Sequence, residues 1–568
     1  MTFNRLRNHS HHRSHNLSQA GLAPTIMVQG TASDVGKSII VTALCRIFTQ
    51  DGYRTAPFKS QNMSLNSYVT WDGKEIGRAQ GMQADACRVA ATTDMNPILL
   101  KPTRDMVSQV VVHGKPYKDL DARTYREKYL GEAETIVKEA LNRLRRSFDL
   151  VVLEGAGSPA EVNLKDRDIV NMRLAGWADA PVLLVADIDR GGVFASIVGT
   201  MEILSPEERD RVRGFIINKF RGDVSLLKPG IEWLEQRTGK PVLGVVPYLP
   251  ELGLEDEDSA SLDAKGAGSR SSRAARERPD QLEVAVLRLP RISNFTDFDP
   301  LLHEPDVRLR YVSAASEWGD PDIVIIPGSK NTVEDLLYLR QSGLADKLLS
   351  HFGQGGWGVG ICAGYQMLGR RLVDPDGVES DRPEVPGLGL FPAETVFACE
   401  KRTERVAGFV ADGAWPDLAG QRLPSPGFAT KHSAVAAAGP AVSGSHGSPC
   451  RISGYEIHMG RTRWLEPVRH PFSIRLEREP DVPASYRPEG IRTADGRLWG
   501  TYIHGILHND AFRRNWLNAV RRSKGWPPIA ETYPFGRRRE EAFDRLADHV
   551  RGHLDMKRIY EWIGGGTK

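Results

Sequence analysis

No apolar run in this sequence reaches eighteen residues, so no stretch is fit to cross a membrane as a helix. Cysteine is scarce and scattered. Cys45, Cys87, Cys362, Cys399 and Cys450 are odd in number and lack any metal-ligand spacing, which fits a reducing cytoplasm. A strong charge of either sign is missing too. The 75 basic and 72 acidic side chains leave +3, which argues neither for nor against nucleic acid, and no nucleic-acid motif is present. Met1 to Gln19 is polar and His-rich without the apolar centre of a secretory signal. His9, His11, His12 and His15 lie there, but too few apolar neighbours are present to fix them as metal ligands. Residues 1–20 are therefore expected to form a disordered leader.

What the chain does have is length and alternation. At 568 residues it exceeds one hydrophobic core, and roughly three domains are expected. Over 21–250, apolar runs alternate with helical patterns, which implies a largely parallel sheet covered on both faces. The expected strands are Thr25–Gln29, Leu150–Leu153, Pro181–Ala186, Gly214–Asn218 and Pro241–Val246. Polar clusters follow three of them, at Glu154–Gly157, Asp187–Gly192 and Asn218–Asp223, where such folds bind ligands.

The first strand runs into Gly30-Thr31-Ala32-Ser33-Asp34-Val35-Gly36-Lys37-Ser38, followed by a helical pattern. Backbone N–H groups of such a loop, through Thr31, Ser33, Val35 and Gly36, cradle phosphate. Lys37 meets the outer phosphates and the Ser38 hydroxyl ligates Mg²⁺. The first glycine of the usual pattern falls on Thr31, with Gly30 one residue further out; a chance Gly-Lys-Ser turn is the alternative. ATP is the ligand implied. Glu154, at a strand end before two glycines, is a candidate for the same Mg²⁺, or else a capping acid; Asp85 is a second candidate. Lys59 and Lys101, each near a proline, can neutralise a transferring phosphoryl group or remain surface lysines.

Residues 251–281 change character. An acidic run, Glu255 to Asp258, precedes a small, polar, basic stretch, and together they read as a flexible linker. A second alternating domain spans 282–530, with strands at Leu282–Arg288, Asp322–Ile326 and Trp357–Ile361. The last leads into Cys362-Ala363-Gly364-Tyr365, the order of strand, nucleophile and helix start that makes a nucleophile elbow. A buried structural cysteine is the alternative. Such a nucleophile needs a base, and His458 and His504 both have strand context; spacing does not choose between them. Residues 531–568 read as a packed helical extension.

The chain resembles the cobyric acid synthase family, glutamine-hydrolysing amidoligases of cobalamin biosynthesis, from about residue 22 to 560. The likeness rests on Pro57–Met63, Glu75–Gln80, Met95-Asn96-Pro97, Leu99–Pro102, Ser108–Val112, Glu154–Glu161, Ala186–Phe194 and Arg291–Asp297. The phosphate loop also resembles that of dethiobiotin synthetase. The resemblance implies an α/β architecture: an N-terminal P-loop NTPase-type (dethiobiotin-synthetase-like) parallel-sheet domain and a C-terminal class I glutamine amidotransferase-like domain. It implies that Cys362 releases ammonia from glutamine with His504 as proton-transfer partner, and that backbone N–H groups near Gly328 and Ala363 hold the oxyanion. It further implies that Mg-ATP activates the b, d, e and g carboxylates of adenosylcobyrinic acid a,c-diamide, with cobalt present only in the substrate. Two departures stand out. Position 506, where full triads commonly carry glutamate, is Ile506, and Ala363 replaces a frequent glycine. The rival readings are a cobyrinic acid a,c-diamide synthase and, in another class, a MinD-like ATPase, which leaves Cys362 and His504 idle. Oligomeric state is left open.

Overall fold

Six apolar stretches, five of them expected, pair into one parallel sheet in the order Val242–Pro247, Val212–Phe220, Val182–Asp187, Thr25–Gly30, Leu150–Glu154, Thr55–Phe58. Thr25–Gly30, Val182–Asp187 and Leu150–Glu154 are buried along their whole length, as strands covered on both faces must be. The first strand lies in the middle, with Val28 opposite Glu154 on one side and Gly30 opposite Val185 on the other. That order puts the loop after Gly30 at the carboxyl edge, with Glu154 and Asp187 ending the strands that flank it. The sixth strand, Thr55–Phe58, ends where Lys59 begins.

This computed structural model describes residues 21–104, 107–121, 130–250, 252–255, 279–411, 414–415 and 449–564. The His-rich leader and most of the expected linker lie outside the described residues. The chain divides into two compact units that interleave along the sequence. One comprises the residues up to Lys59, Glu132–Tyr248 and those from Ala547 onward; the other comprises Ser60–Gly131 and Leu249–Leu546. The expected fold class holds, with a parallel α/β sheet in each unit.

The second unit carries a six-stranded sheet ordered Val307–Val312, Leu282–Leu287, Ile323–Ile326, Trp357–Ile361, Leu498–Thr501, Ile491–Arg492, parallel except at the last pair. Two long antiparallel strands build a further sheet: Ala393–Val410, not expected from the sequence, and Arg451–Trp464, of which only the strand context of His458 was expected. Residues expected within the 21–250 domain also belong here. Gln61–Met63, Ile98–Arg104, Val107–Val112 and Lys115–Asp121 form a four-stranded sheet of this unit. Polar contacts tie the segment down. The Ser67 N–H donates to Asn294 Oδ1 at 2.8 Å, and the Phe295 N–H to Asn66 Oδ1 at 3.2 Å. Glu255, in the acidic run expected to be solvated linker, is 6% exposed, because Arg78 and Arg539 pair with its two oxygens at 3.1 and 3.0 Å.

The C-terminal extension is helical, at Phe535–Arg551 and Met556–Trp562. From Ala547 onward it is part of the first unit. A Cβ on Gly244 would stand 1.8 Å from the His553 carbonyl oxygen, so the strand admits the tail only with glycine there.

Candidate functional site

Two constellations emerge, one in each unit. In the first, the chain leaves the Thr25–Gly30 strand, turns through Asp34 (φ 57°) and Gly36 (φ 96°), and enters the helix Lys37–Gln50. Glycine is required twice. A Cβ on Gly30 would lie 2.6 Å from Val35 Cγ2, and one on Gly36 would lie 2.2 Å from Asn218 Nδ2. The out-of-pattern Gly30 thus serves close packing beneath the loop that runs from Thr31 through Ser33 to Val35. The loop is braced from the Val212–Phe220 strand: Asn218 Nδ2 donates to the Val35 carbonyl at 2.9 Å, and Lys219 Nζ donates to the Asp34 carbonyl at 2.5 Å.

Three candidates read from the sequence meet at one carboxylate. Glu154, 0% exposed, accepts on Oε1 from the Ser38 hydroxyl at 2.8 Å and from Lys59 Nζ at 2.9 Å. Lys37 Nζ donates to the carbonyls of Ala32 (2.8 Å) and Gly157 (3.0 Å). A hydroxyl and a carboxylate beside a loop of backbone donors make an all-oxygen set, which suits Mg²⁺ on phosphate. The other two candidates lie in the second unit. Asp85 accepts from Arg539 at 2.9 Å and from the Tyr68 hydroxyl at 3.1 Å, while Lys101 is bonded to Glu75 and Ser67.

The second constellation surrounds Cys362, which caps the strand Trp357–Ile361 and precedes the helix Ala363–Met367. Its φ of 53° and ψ of −106° put a non-glycine residue in a strained region, the mark of an elbow that aims its side chain. Gly364 makes the turn possible, since a Cβ there would stand 2.0 Å from the Ile326 carbonyl oxygen. The thiol is 7% exposed, 3.5 Å from the Ile457 carbonyl, and is a hydrogen-bond partner of His504. Ala363 opens the helix, leaving its N–H among the first-turn donors. Gly328 lies against the histidine, where a Cβ would come 3.1 Å from His504 Cε1.

His504 is fully buried and oriented by an acid that spacing did not reveal. Its Nδ1–H donates to Asp297 Oδ2 at 2.7 Å, and the Gly505 N–H donates to Asp297 Oδ1 at 2.8 Å. Burial opposes a charged ring, yet Asp297, helped by Cys362, pushes His504 up to about 10. Tyr455 stacks on the ring with centroids 5.2 Å apart, and Asn294 Nδ2 stands 3.5 Å from Nε2. His458 differs. Burial holds it down to about 4, its Nδ1 meets the Gly460 carbonyl at 2.6 Å, and it stacks on Tyr502 at 3.8 Å. Among the described residues, the carboxylate-paired histidine at the thiol is thus His504. Only the Arg291–Asp297 block, singled out as a run without a role, pointed to Asp297.

Comparison with known proteins gives a family domain over the residues of each constellation. Residues 26–261 match the CobQ/CobB/MinD/ParA nucleotide binding domain, and 283–512 match the CobB/CobQ-like glutamine amidotransferase domain. A cobyric acid synthase of Geobacillus thermodenitrificans is 50% identical over 539 residues, covering 95% of this chain and 98% of its own. Those of Sorangium cellulosum (50% over 542 residues, 95% and 99% covered) and Dehalococcoides mccartyi strain 195 (49% over 549 residues, 96% and 99%) are similar in extent.

Proposed function

The chain belongs to the cobyric acid synthase family, and we propose that it converts adenosylcobyrinic acid a,c-diamide to adenosylcobyric acid, amidating the b, d, e and g carboxylates with ATP and glutamine. The observation that carries this reading is the pairing, in one chain, of a braced phosphate loop with a thiol, imidazole and carboxylate in sequence: Cys362, His504 and Asp297.

A carboxylate is a poor electrophile, so it first takes the terminal phosphoryl group of ATP and becomes an acyl phosphate. The loop N–H groups and Lys37 hold the phosphates, and Lys59 adds positive charge where phosphoryl transfer spreads negative charge. Ser38 and Glu154 would hold Mg²⁺, which supplies further charge neutralisation there. Ammonia then displaces phosphate and leaves an amide. That ammonia comes from glutamine. The Cys362 sulfur attacks the side-chain amide carbon with its proton already held on His504, whose charged form Asp297 favours. The oxyanion is held by N–H groups at Ala363 and Gly328, and His504 protonates the departing nitrogen. Water, deprotonated by His504, cleaves the thioester to glutamate and frees the thiol. Asp297 keeps the ring in one tautomer and balances its charge throughout. Free cysteines and the absence of a membrane-crossing helix among the described residues fit a cytoplasmic setting.

The test is mass spectrometry of the corrinoid after incubation with Mg-ATP, glutamine and the a,c-diamide. Replacement of four carboxyl hydroxyls by amino groups is expected. No reaction on the a,c-diamide, but two replacements on undecorated cobyrinic acid, would move the assignment to the a,c-diamide synthase.

A further inference from the structure

Two lysines share one carboxylate beside the Cys362 cavity. Glu75, 0% exposed, accepts from Lys101 on Oε1 and from Lys401 on Oε2, and the Ser67 hydroxyl donates to Oε1 at 2.5 Å. Lys101 also reaches the Ser67 oxygen at 2.8 Å. The lysine side chains are only 5% and 7% exposed, so with both protonated the cluster keeps one surplus positive charge where an unbalanced charge is costly. Burial, with the cations Lys101 and Lys330, brings Lys401 down to about 7 against the pull of Glu75. An arriving anion would cancel the surplus.

The position of Lys401 says which anion. The cavity holding Cys362 and a larger one of about 1120 Å³ share three lining residues, Lys401, His458 and Met459, which form the mouth between them. Glutamine with its amide at the sulfur keeps its α-carbon two methylenes back, toward that mouth. Met459 carries no charge, and His458, brought down to about 4 by burial, is neutral at physiological pH. Lys330 lines the Cys362 cavity but not the larger one, and already faces the Glu379 carboxyl, whose own charge burial opposes. Lys401 is therefore the cation at the mouth.

We propose that Lys401 binds the α-carboxylate of the glutamine consumed at Cys362, with Glu75 and Lys101 positioning its ammonium. The proposal rests on the reading of Cys362 as the glutamine-cleaving thiol. It is tested by calorimetric titration of the full chain carrying Cys362→Ser, with and without Lys401→Met, using L-glutamine and 4-aminobutanamide, the same molecule without its α-carboxylate. Lys401→Met is expected to weaken glutamine roughly tenfold to a hundredfold, the reach of one charged hydrogen bond, and to leave 4-aminobutanamide unchanged. Proton uptake on glutamine binding near pH 7.5 should vanish with the lysine, and Lys401→Arg should restore most of the affinity. Undiminished glutamine binding in Lys401→Met, or equal loss on both compounds, would overturn the proposal. Glutamine hydrolysis that survives Cys362→Ser would instead overturn the reading of the thiol.

Discussion

The phosphate loop draws on neighbours in sequence and on backbone: Gly30 to Ser38 supply the cradle, and two remote strand ends, Glu154 and Asn218, brace it. The Cys362 site draws on side chains from segments far apart. Lys101 lines it, Ser67 and Asn66 bond the Asn294–Phe295 turn, Asn294 and Asp297 reach His504, and the thiol follows the Trp357–Ile361 strand. The first plan is expected to tolerate most side-chain changes and to fail when a close-packed glycine or Lys37 changes. The second is expected to fail when any one of several distant residues is lost. Phosphate is recognised by many equivalent N–H groups, whereas thioester chemistry needs single atoms held in line.

That contrast is sharpest in the nucleophile. Cys362→Ser should lower glutamine-dependent amidation by roughly 10³-fold or more and leave ammonium-supported amidation near the original rate. Lys37→Ala should give the mirror image. Amidation falls about 10²- to 10³-fold with either nitrogen source, while ammonia is still released from glutamine, read by a coupled glutamate assay. If Lys37→Ala also silenced glutamine cleavage, the two sites would not be separable.

Asp297→Asn should lower glutamine cleavage by about 10²-fold, since the ring loses its tautomer lock and its counter-charge. It also carries a pH signature. His504 is raised from 6.5 to about 10 in the folded chain, so its contribution to stability is complete below 6.5 and is lost as pH climbs through about 10. Denaturant unfolding should therefore show the variant less stable than the wild type near pH 6, with the gap closing toward pH 10. A constant gap would mean that Asp297 acts by packing alone.

These residues also mark how far the sequence could be read. The loop was legible because its donors are contiguous. Cys362 was legible as an elbow candidate because strand, nucleophile and glycine follow a local pattern, whereas spacing left His458 and His504 equal and only the family resemblance chose His504. Asp297 was not, since it lies 207 residues from its histidine and position 506 offers no acid. Lys101 and Asp85 looked like phosphate-site residues because they stand in the same stretch as the loop. Yet Ser60–Gly131 packs with the amidotransferase sheet, where Glu75 takes one and Arg539 the other. Glu255 misled for the same reason: a run of acids reads as solvated until two distant guanidiniums bury one of them.

The smallest expected effect concerns the tail, which the sequence marked only as a packed helical extension. Arg551 pairs with Asp51 at 2.8 Å with its side chain 34% exposed, and Tyr560 bonds the same carboxylate while stacking on Tyr53 at 6.4 Å. All of these residues belong to the phosphate-loop unit. Tyr560→Ala, which empties a buried ring site, should cost about 3 kcal/mol, and Arg551→Ala, a half-exposed pair, at most about 1 kcal/mol. Both costs should fall on the thermal transition that Mg-ATP raises by binding the folded state. Glutamine cleavage at Cys362, measured below that transition, should be unchanged in Arg551→Ala. A matching loss of glutamine cleavage would mean that the tail supports the amidotransferase unit as well, and the division of labour drawn here would have to be redrawn at Ala547.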